Sequence, residues 1–521
     1  MAELEAPPSG PLRPMVGLSL AFLSSASTMI VEVVAGRVVA ADLGTSLYTW
    51  TAVIGTVLAG MSLGNYLGGL LADAREPRRI LGPLFLLSAL FCAGSPRLHA
   101  WVIDGGFFES LPWSPRVACT VAVAFLIPAM LLGTLSPIIL RSLLDPRAPG
   151  RVIGSLFAAG SVGGIIGTYA AGFVLLPSFG TDAILVAVAG LLAAVGMVLA
   201  VQPSAQLAGA VMTSIFLVLA WVESAEANGW VYGSDPSKPI EYRRTSEYAE
   251  IRVIPRDRFD PTATIPRDPR LRIMLIDSMV HGVVMPEDPT KLYYGYEGAY
   301  AVITSAWLAA RPRPTLSATF IGGGPYSFPR YLLTQFPKAD VEVIEIDAEV
   351  TRAAEEAMGL AKSAPITRVH ADARPYLART AKTYDLVYGD AFSGFAVPWH
   401  LTTQEFDRVL HRILNPGGMY IVNVIDEAES ERLVASMCRT LRSVFEYVAL
   451  FAEQGRRRGR STYVVVASDD EIVLPAKIDG IGRQSGFDRM DPKALDDRGI
   501  VLTDDFAPVE SFMSDAFVLR Q

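Results

Sequence analysis

Charged side chains are sparse over residues 15–222 and crowd into the remainder, and this asymmetry limits what the chain can fold into more than any motif does. Apolar stretches of about the length that crosses a bilayer fall at 15–36, 48–72, 80–95, 117–140, 152–176, 182–201 and 206–222. Seven spans are therefore expected, the third and last of them short. The first is longer than a signal-peptide core and is followed by further apolar stretches, so it reads as a retained helix. A mean hydropathy of +0.34 with 51% hydrophobic residues agrees with a chain partly solvated by lipid. The predicted organisation is a tail (1–14), a transmembrane helical bundle (15–223), a small β region (224–290) and a second domain (291–521).

Small-residue spacings, Gly60/Gly64/Gly68 and Gly160/Gly164, suit close helix contacts, because backbone packing replaces the hydrophobic drive in lipid. Glu32 and Arg37 end the first segment, where an unpaired charge is costly, so pairing or a wet cavity is expected. Asn65 and Asp73 near the second read the same way. Arg75, Arg78 and Arg79, with Arg141, Arg147 and Arg151, mark their loops as cytoplasmic. With seven spans that puts the C-terminal half outside; re-entry of residues 97–110 would restore it to the cytoplasmic side.

Beyond the last span, 241–254 and 271–277 alternate and are β-branched, as small antiparallel strands are. Then strands alternate with helices: ATFIGGG, a helix from Ser327, VEVIEID, a helix to Gly359, ITRVHAD, YDLVYGD and MYIVNVI. That order predicts an α/β Rossmann-like domain, a parallel sheet with helices on both faces. Ligands of such sheets lie at the carboxyl ends of the strands. Those ends carry Gly322, Gly323 and Gly324, then Glu345 and Asp347, Asp372 beside Ala373, and Asp390. Glycines allow close approach to backbone, and Glu345 is spaced to accept from ribose hydroxyls. Cys92, Cys119 and Cys438 are far apart, and no CxxC or HExxH spacing occurs, so no disulfide framework or structural metal is expected. A net charge of −8 argues against nucleic acid as a partner.

The wording of these segments resembles the spermidine synthase (polyamine aminopropyltransferase) family over about residues 241–450. TSEYAEI is similar to its Ser/Thr-x-Tyr-Gln strand, LIDSMVH to Leu-Asp-Gly-x-x-Gln, IGGGPYSFPR to GGGDGGxxRE, VIEID to VEID, and YDLVYGDAF to YDVIxxDSxD. HLTTQEF and LNPGGM also fit, and the first half resembles the multi-span bundle fused to such domains in bacteria. The resemblance implies a decarboxylated S-adenosylmethionine (or S-adenosylmethionine) site. Gly322–Gly324, Glu345, Asp347, Asp372, Ala373 and Asp390 would hold the nucleotide, with Glu345 on the ribose and Asp372 on the adenine. It implies Asp390 as the acid that orients and deprotonates an attacking amine, with His281 and Tyr294 beside it, and Tyr296, Glu297 and Ser393 toward the acceptor. It also implies a homodimer.

Departures from the family pattern concentrate at the amine end. Pro325 replaces the aspartate of GGGDG, Ser393 the second acid of DSxD, and His281 the upstream glutamine. Putrescine is thereby less assured than the nucleotide, since a diamine is met by carboxylates. Arg330 matches the family's arginine or is a solvated helix residue, and Arg456, Arg457, Arg458 and Arg460 suit anionic headgroups or a solvated loop. The reading is thus a multi-pass inner-membrane aminopropyltransferase-like enzyme with its second domain on the cytoplasmic side, acting on a small amine or lipid-linked acceptor. A methyl or aminocarboxypropyl transferase using intact S-adenosylmethionine is the second reading, and a non-catalytic nucleotide-sensing transporter the third.

Overall fold

Backbone N–H and C=O groups in hydrocarbon have no water to bond, so lipid-facing stretches of this length close their hydrogen bonds within helices. The computed structural model describes residues 13–44, 46–144, 148–227, 242–256, 265–277, 279–392, 398–455, 459–471, 473–481 and 484–513. The chain divides into two compact units, Met1–Val231 and Tyr232–Gln521.

Among its described residues the first unit forms helices and no strand. Its elements are α1 (Pro14–Leu43), α2 (Leu47–Ala74), α3 (Pro77–Asp104), α4 (Trp113–Leu143) and α5 (Pro149–Ala170), which runs through a π turn at Ala171–Leu175 into α6 (Leu176–Ser178). Then come α7 (Thr181–Leu199) and α8 (Pro203–Ala227). Among the described residues six helical stretches are long and apolar enough to cross a bilayer, one fewer than the seven expected. The seventh expected span, 206–222, falls within α8 (Pro203–Ala227). Helix α3 carries on through residue 97 to Asp104, so the first part of 97–110 is helical.

Glycine sets which helices touch. Gly60, Gly64 and Gly68 form the face of α2 that lies on α4, where a Cβ at Gly64 would stand 2.1 Å from the Met130 carbonyl oxygen. On α5 the tight positions are Gly163 and Gly167, whose added Cβ atoms would meet the Phe22 and Ala26 carbonyls of α1 at 2.2 and 2.5 Å. Gly160 and Gly164 have more room, so the expected small-residue face of this helix is rotated to its neighbours.

The second unit holds two sheets. The first is an antiparallel meander of β1 (Tyr242–Thr245), β2 (Glu250–Pro255), β3 (Arg272–Ile276) and β4 (Met279–Val284). Helix α9 (Gly295–Ala310) then leads to β5 (Ser317–Ile321), α10 (Ser327–Gln335), β6 (Asp340–Glu345), α11 (Ala348–Ala357), β7 (Ile366–His370), α12 (Ala373–Arg379) and β8 (Tyr384–Gly389). They are followed by α13 (Gln404–Ile413), β9 (Leu414–Glu427), α14 (Arg432–Leu441), β10 (Tyr447–Glu453), β11 (Arg460–Ser468), β12 (Lys477–Ile478), β13 (Phe487–Met490) and α15 (Val509–Met513). The second sheet runs β12-β13-β10-β11-β9-β8-β5-β6-β7, and its β9-β8-β5-β6-β7 portion is parallel.

Alternation along the strands explains the layers. Ala318 and Phe320 of β5 with Val341 and Val343 of β6 join one core with Tyr300, Ile303 and Trp307 of α9. Ile321, Ile344 and Val387 join the opposite core with Leu377, Phe406 and Leu410. Both faces of the parallel strands are covered, as their continuous apolar character requires. The strand order reverses between β5 and β8, and a crevice opens at such a switch point.

Replacing Gly64 with Val should cost about 1–3 kcal/mol through overpacking against α4. Gly69→Ala, with nothing within 4 Å of the added Cβ, should be neutral or mildly stabilising. Thermal unfolding of the two variants in detergent checks this; equal midpoints would contradict the packing described.

Candidate functional site

Register brings the strand ends into one row. Ile321 pairs with Ile344 and Gly389, Gly389 with Val422, and Glu345 with His370. The residues at or just past these positions are Gly322, Glu345, Asp390, Asn423 and, two beyond His370, Asp372. All five line one cleft of about 580 Å³, within the usual range for a small-molecule site. The cleft also takes in Gly323, Gly324, Ala373, His281, Tyr294 and Tyr296 from the predicted set.

The glycine turn after β5 is built against the protein's own backbone. Gly322 has φ +95°, and a Cβ there would fall 2.5 Å from the Asp390 carbonyl oxygen, so this position admits glycine for two independent reasons. Gly322 N–H donates to Ile344 O and Asp390 N–H to Ile321 O, each at 2.9 Å, which locks the three strand ends together. Glu345 braces the same turn: Gly323 N–H donates to its Oε2 at 2.7 Å and Asp347 N–H to its Oε1 at 3.0 Å. Burial pushes its carboxyl above the usual carboxylate range, and these backbone donors oppose the rise.

Asp372 caps α12 through Arg374 N–H at 2.9 Å and faces His400 Nε2 at 3.4 Å. Its side chain remains about a third exposed within the cleft, so acceptor capacity is available to a ligand. Ile346 and Ala371, chain neighbours of the two acids, add apolar lining.

Asp390 follows directly on the last residue of β8. Tyr296 Oη–H donates to its Oδ2 at 2.9 Å and Asn423 Nδ2–H to its Oδ1 at 3.1 Å. Burial raises the Asp390 carboxyl above its ordinary value, while these two donors pull it back toward the charged form. Burial and the Asp390 charge keep the Tyr296 phenol protonated, hence a donor. Tyr300 Oη–H donates to the Gly389 carbonyl at 3.0 Å and fixes the strand end that carries the acid. Asn423 Oδ1 is buried and partnerless, as is His281 Nε2, and both residues line the cleft. Buried polar atoms without partners are rare and point to a missing ligand or water. The His281 imidazole is pushed down to about 4 by burial and by the nearby Arg460 charge, so it stays neutral near pH 7.

Three predicted residues stand elsewhere. Glu297 faces the start of its own helix: its Oε2 accepts from Tyr293 and Tyr294 N–H at 3.4 and 3.3 Å, and its Oε1 accepts from the Ser327 hydroxyl. Its carboxyl, pushed up to about 7 chiefly by burial, serves the α9 and α10 ends and does not line the cleft. Asp347 caps α11 through Glu349 N–H at 2.9 Å and accepts from Ser246 Oγ–H at 2.5 Å, again away from the cleft lining. Arg330 is no solvated residue; it is buried and donates to the Met358 and Pro286 carbonyls at 2.7 and 2.6 Å. Ser393 lies outside the described residues, as do Arg456, Arg457 and Arg458.

Sequence reasoning missed Asn423, His400, Glu453 and Arg460 as cleft residues. A polar residue inside the apolar run MYIVNVI was the available signal for Asn423. Arg460, read from sequence as part of a solvated or headgroup-facing basic loop, lines the cleft.

No family model matches the chain. A polyamine aminopropyltransferase of Vibrio vulnificus is 33% identical over 150 residues, 28% of this chain and 48% of that protein. Polyamine aminopropyltransferase 2 of Streptomyces coelicolor is 26% identical over 459 residues, 80% of this chain and 76% of that one, a stretch too long for either unit alone. A probable polyamine aminopropyl transferase of Bifidobacterium longum is 29% identical over 130 residues. The chain spans less than half the length of the Bifidobacterium and Vibrio relatives, 29% and 48%. Among solved structures, a probable spermidine synthase from Corynebacterium glutamicum aligns at TM-score 0.42 with 23% identity, over 49% of this chain and 92% of that one. The curated relatives that the chain is similar to are polyamine aminopropyltransferases.

Proposed function

We propose that this chain is a membrane-embedded transferase that moves the alkyl chain of an adenosyl sulfonium, decarboxylated S-adenosylmethionine or S-adenosylmethionine, onto an amine. The observation that carries the reading is the environment of Asp390. An ammonium cannot attack carbon until it loses a proton, and a carboxylate in hydrogen-bond reach accepts it. Asp390 is desolvated, held by two donors, and next to the partnerless Asn423 Oδ1, which is free to accept a second amine N–H. In the step, the amine lone pair forms a bond to the carbon beside sulfur. The carbon–sulfur bond breaks with its electron pair going to sulfur, which leaves as a neutral thioether nucleoside. The proton passes to Asp390. Glu345 and Asp372 are assigned the ribose and the adenine amino group, and Tyr294 and Tyr296 the walls around the attacking amine.

Membrane insertion rests on the six long apolar helices. The arginine-bearing loops 75–79 and 141–151 are assigned to the inside, and the second unit to the same side, where adenosyl sulfonium donors are made.

Asp390→Asn should lower kcat about 10²–10⁴-fold, the usual worth of a general base, with nucleotide affinity nearly unchanged. In the wild type, protonated Asp390 is inactive, so activity is present above its pKa and lost as pH falls through it. Because that pKa is raised, the acid limb should lie above the ordinary Asp value near 4. Rates of thioether-nucleoside release, followed against pH, measure both; an unaffected variant would refute the role of the acid. A C-terminal reporter active only in the cytoplasm should be active; activity of a reporter that works only outside the membrane would overturn this orientation.

A further inference from the structure

The amine end of the cleft carries a charge pattern that a simple diamine does not use. Arg460 and Thr462 are two residues apart on β11 and so share one strand face, and both line the cleft. Glu453, the last residue of β10, lies beside Thr462, whose N–H donates to Glu453 Oε2 at 3.4 Å. Glu453 also lines the cleft, and in an antiparallel pair such diagonal neighbours lie within reach of long side chains. A cation and an anion are thus presented side by side. His281, neutral because burial and the Arg460 charge both disfavour its protonation, adds a buried Nε2 with no partner. Where the family pattern has an aspartate, Pro325 lines the wall and packs over Gly282, so no carboxylate from that position repels an anion.

We infer that Arg460, Glu453 and His281 form a receptor for an α-amino-carboxylate head group, with Arg460 and His281 on the carboxylate and Glu453 on the ammonium. Arg meets carboxylates through a planar fork of donors that Lys and Gln cannot reproduce. Two reactants carry this head group. One is an amino-acid acceptor whose side-chain amine attacks at Asp390; the other is intact S-adenosylmethionine as donor. The inference rests on the transfer reading above and narrows it to one class of substrate.

Paired substrates test it on the full-length protein in nanodiscs. Ornithine is compared with putrescine and lysine with cadaverine, each with decarboxylated and with intact S-adenosylmethionine, by release of methylthioadenosine. A carboxylated acceptor favoured at least tenfold in kcat/KM assigns the head group to the acceptor; a like preference for intact S-adenosylmethionine with the diamines assigns it to the donor. In either case Arg460→Gln should erase the preference, an expected loss of about ten- to a hundred-fold for a charge-assisted hydrogen bond, and Arg460→Lys should restore part of it. Thermal midpoints matching the wild type confirm that each variant is folded; should Arg460→Gln fail that check, His281→Ala replaces it and should weaken the same preference. Faster turnover of the decarboxylated member at both positions, or a preference that Arg460→Gln leaves intact, overturns the inference while leaving transfer standing. No methylthioadenosine from any combination overturns transfer and inference together.

Discussion

A carboxylate buried at the end of a parallel strand becomes a usable base only if its surroundings hold it without satisfying it completely. Asp390 meets that condition. Desolvation raises its proton affinity, Tyr296 and Asn423 limit the rise, and the amide oxygen left open beside it marks where an incoming N–H fits. The rest of the second unit is arranged around that acid. The reversal of strand order between β5 and β8 opens the crevice, and the glycine turn at Gly322 lets the Asp390 backbone come within 2.5 Å of where a side chain would begin.

The parallel sheet was legible because its strands are short apolar runs, each ending in a glycine or an acid. Glu345, Asp372 and Asp390 could be placed at one sheet edge from that punctuation alone, and register puts them in one cleft. What the sequence hid were contacts made across long separations. Glu297 reads as an acid near the acceptor, yet its carboxylate turns back to cap α9, because exposed helix N–H groups nearby need an acceptor. Asp347 is diverted in the same manner to α11. Arg330 reads from sequence as a match to the family's arginine or as a solvated helix residue, and two backbone carbonyls close around it. Arg460 belongs by composition to a basic run, but strand alternation on β11 turns it into the cleft.

In the first unit the limits of legibility are different. Among the described residues, hydropathy located the long helices, since apolar length is a one-dimensional property. Spacing of small residues found the α2 face correctly, but the α5 face lies at Gly163 and Gly167, one position away on one side and three on the other from the pair expected. Several glycines occur on that helix, and only the partner backbone decides which of them is needed.

The most direct test of the central claim is a structure of the full-length protein with methylthioadenosine bound. The account predicts ribose hydroxyls on Glu345, the adenine amino group toward Asp372, and the sulfur facing the Asp390 carboxylate. A nucleoside held away from those three acids, or one bound with its sulfur pointing away from Asp390, would contradict it.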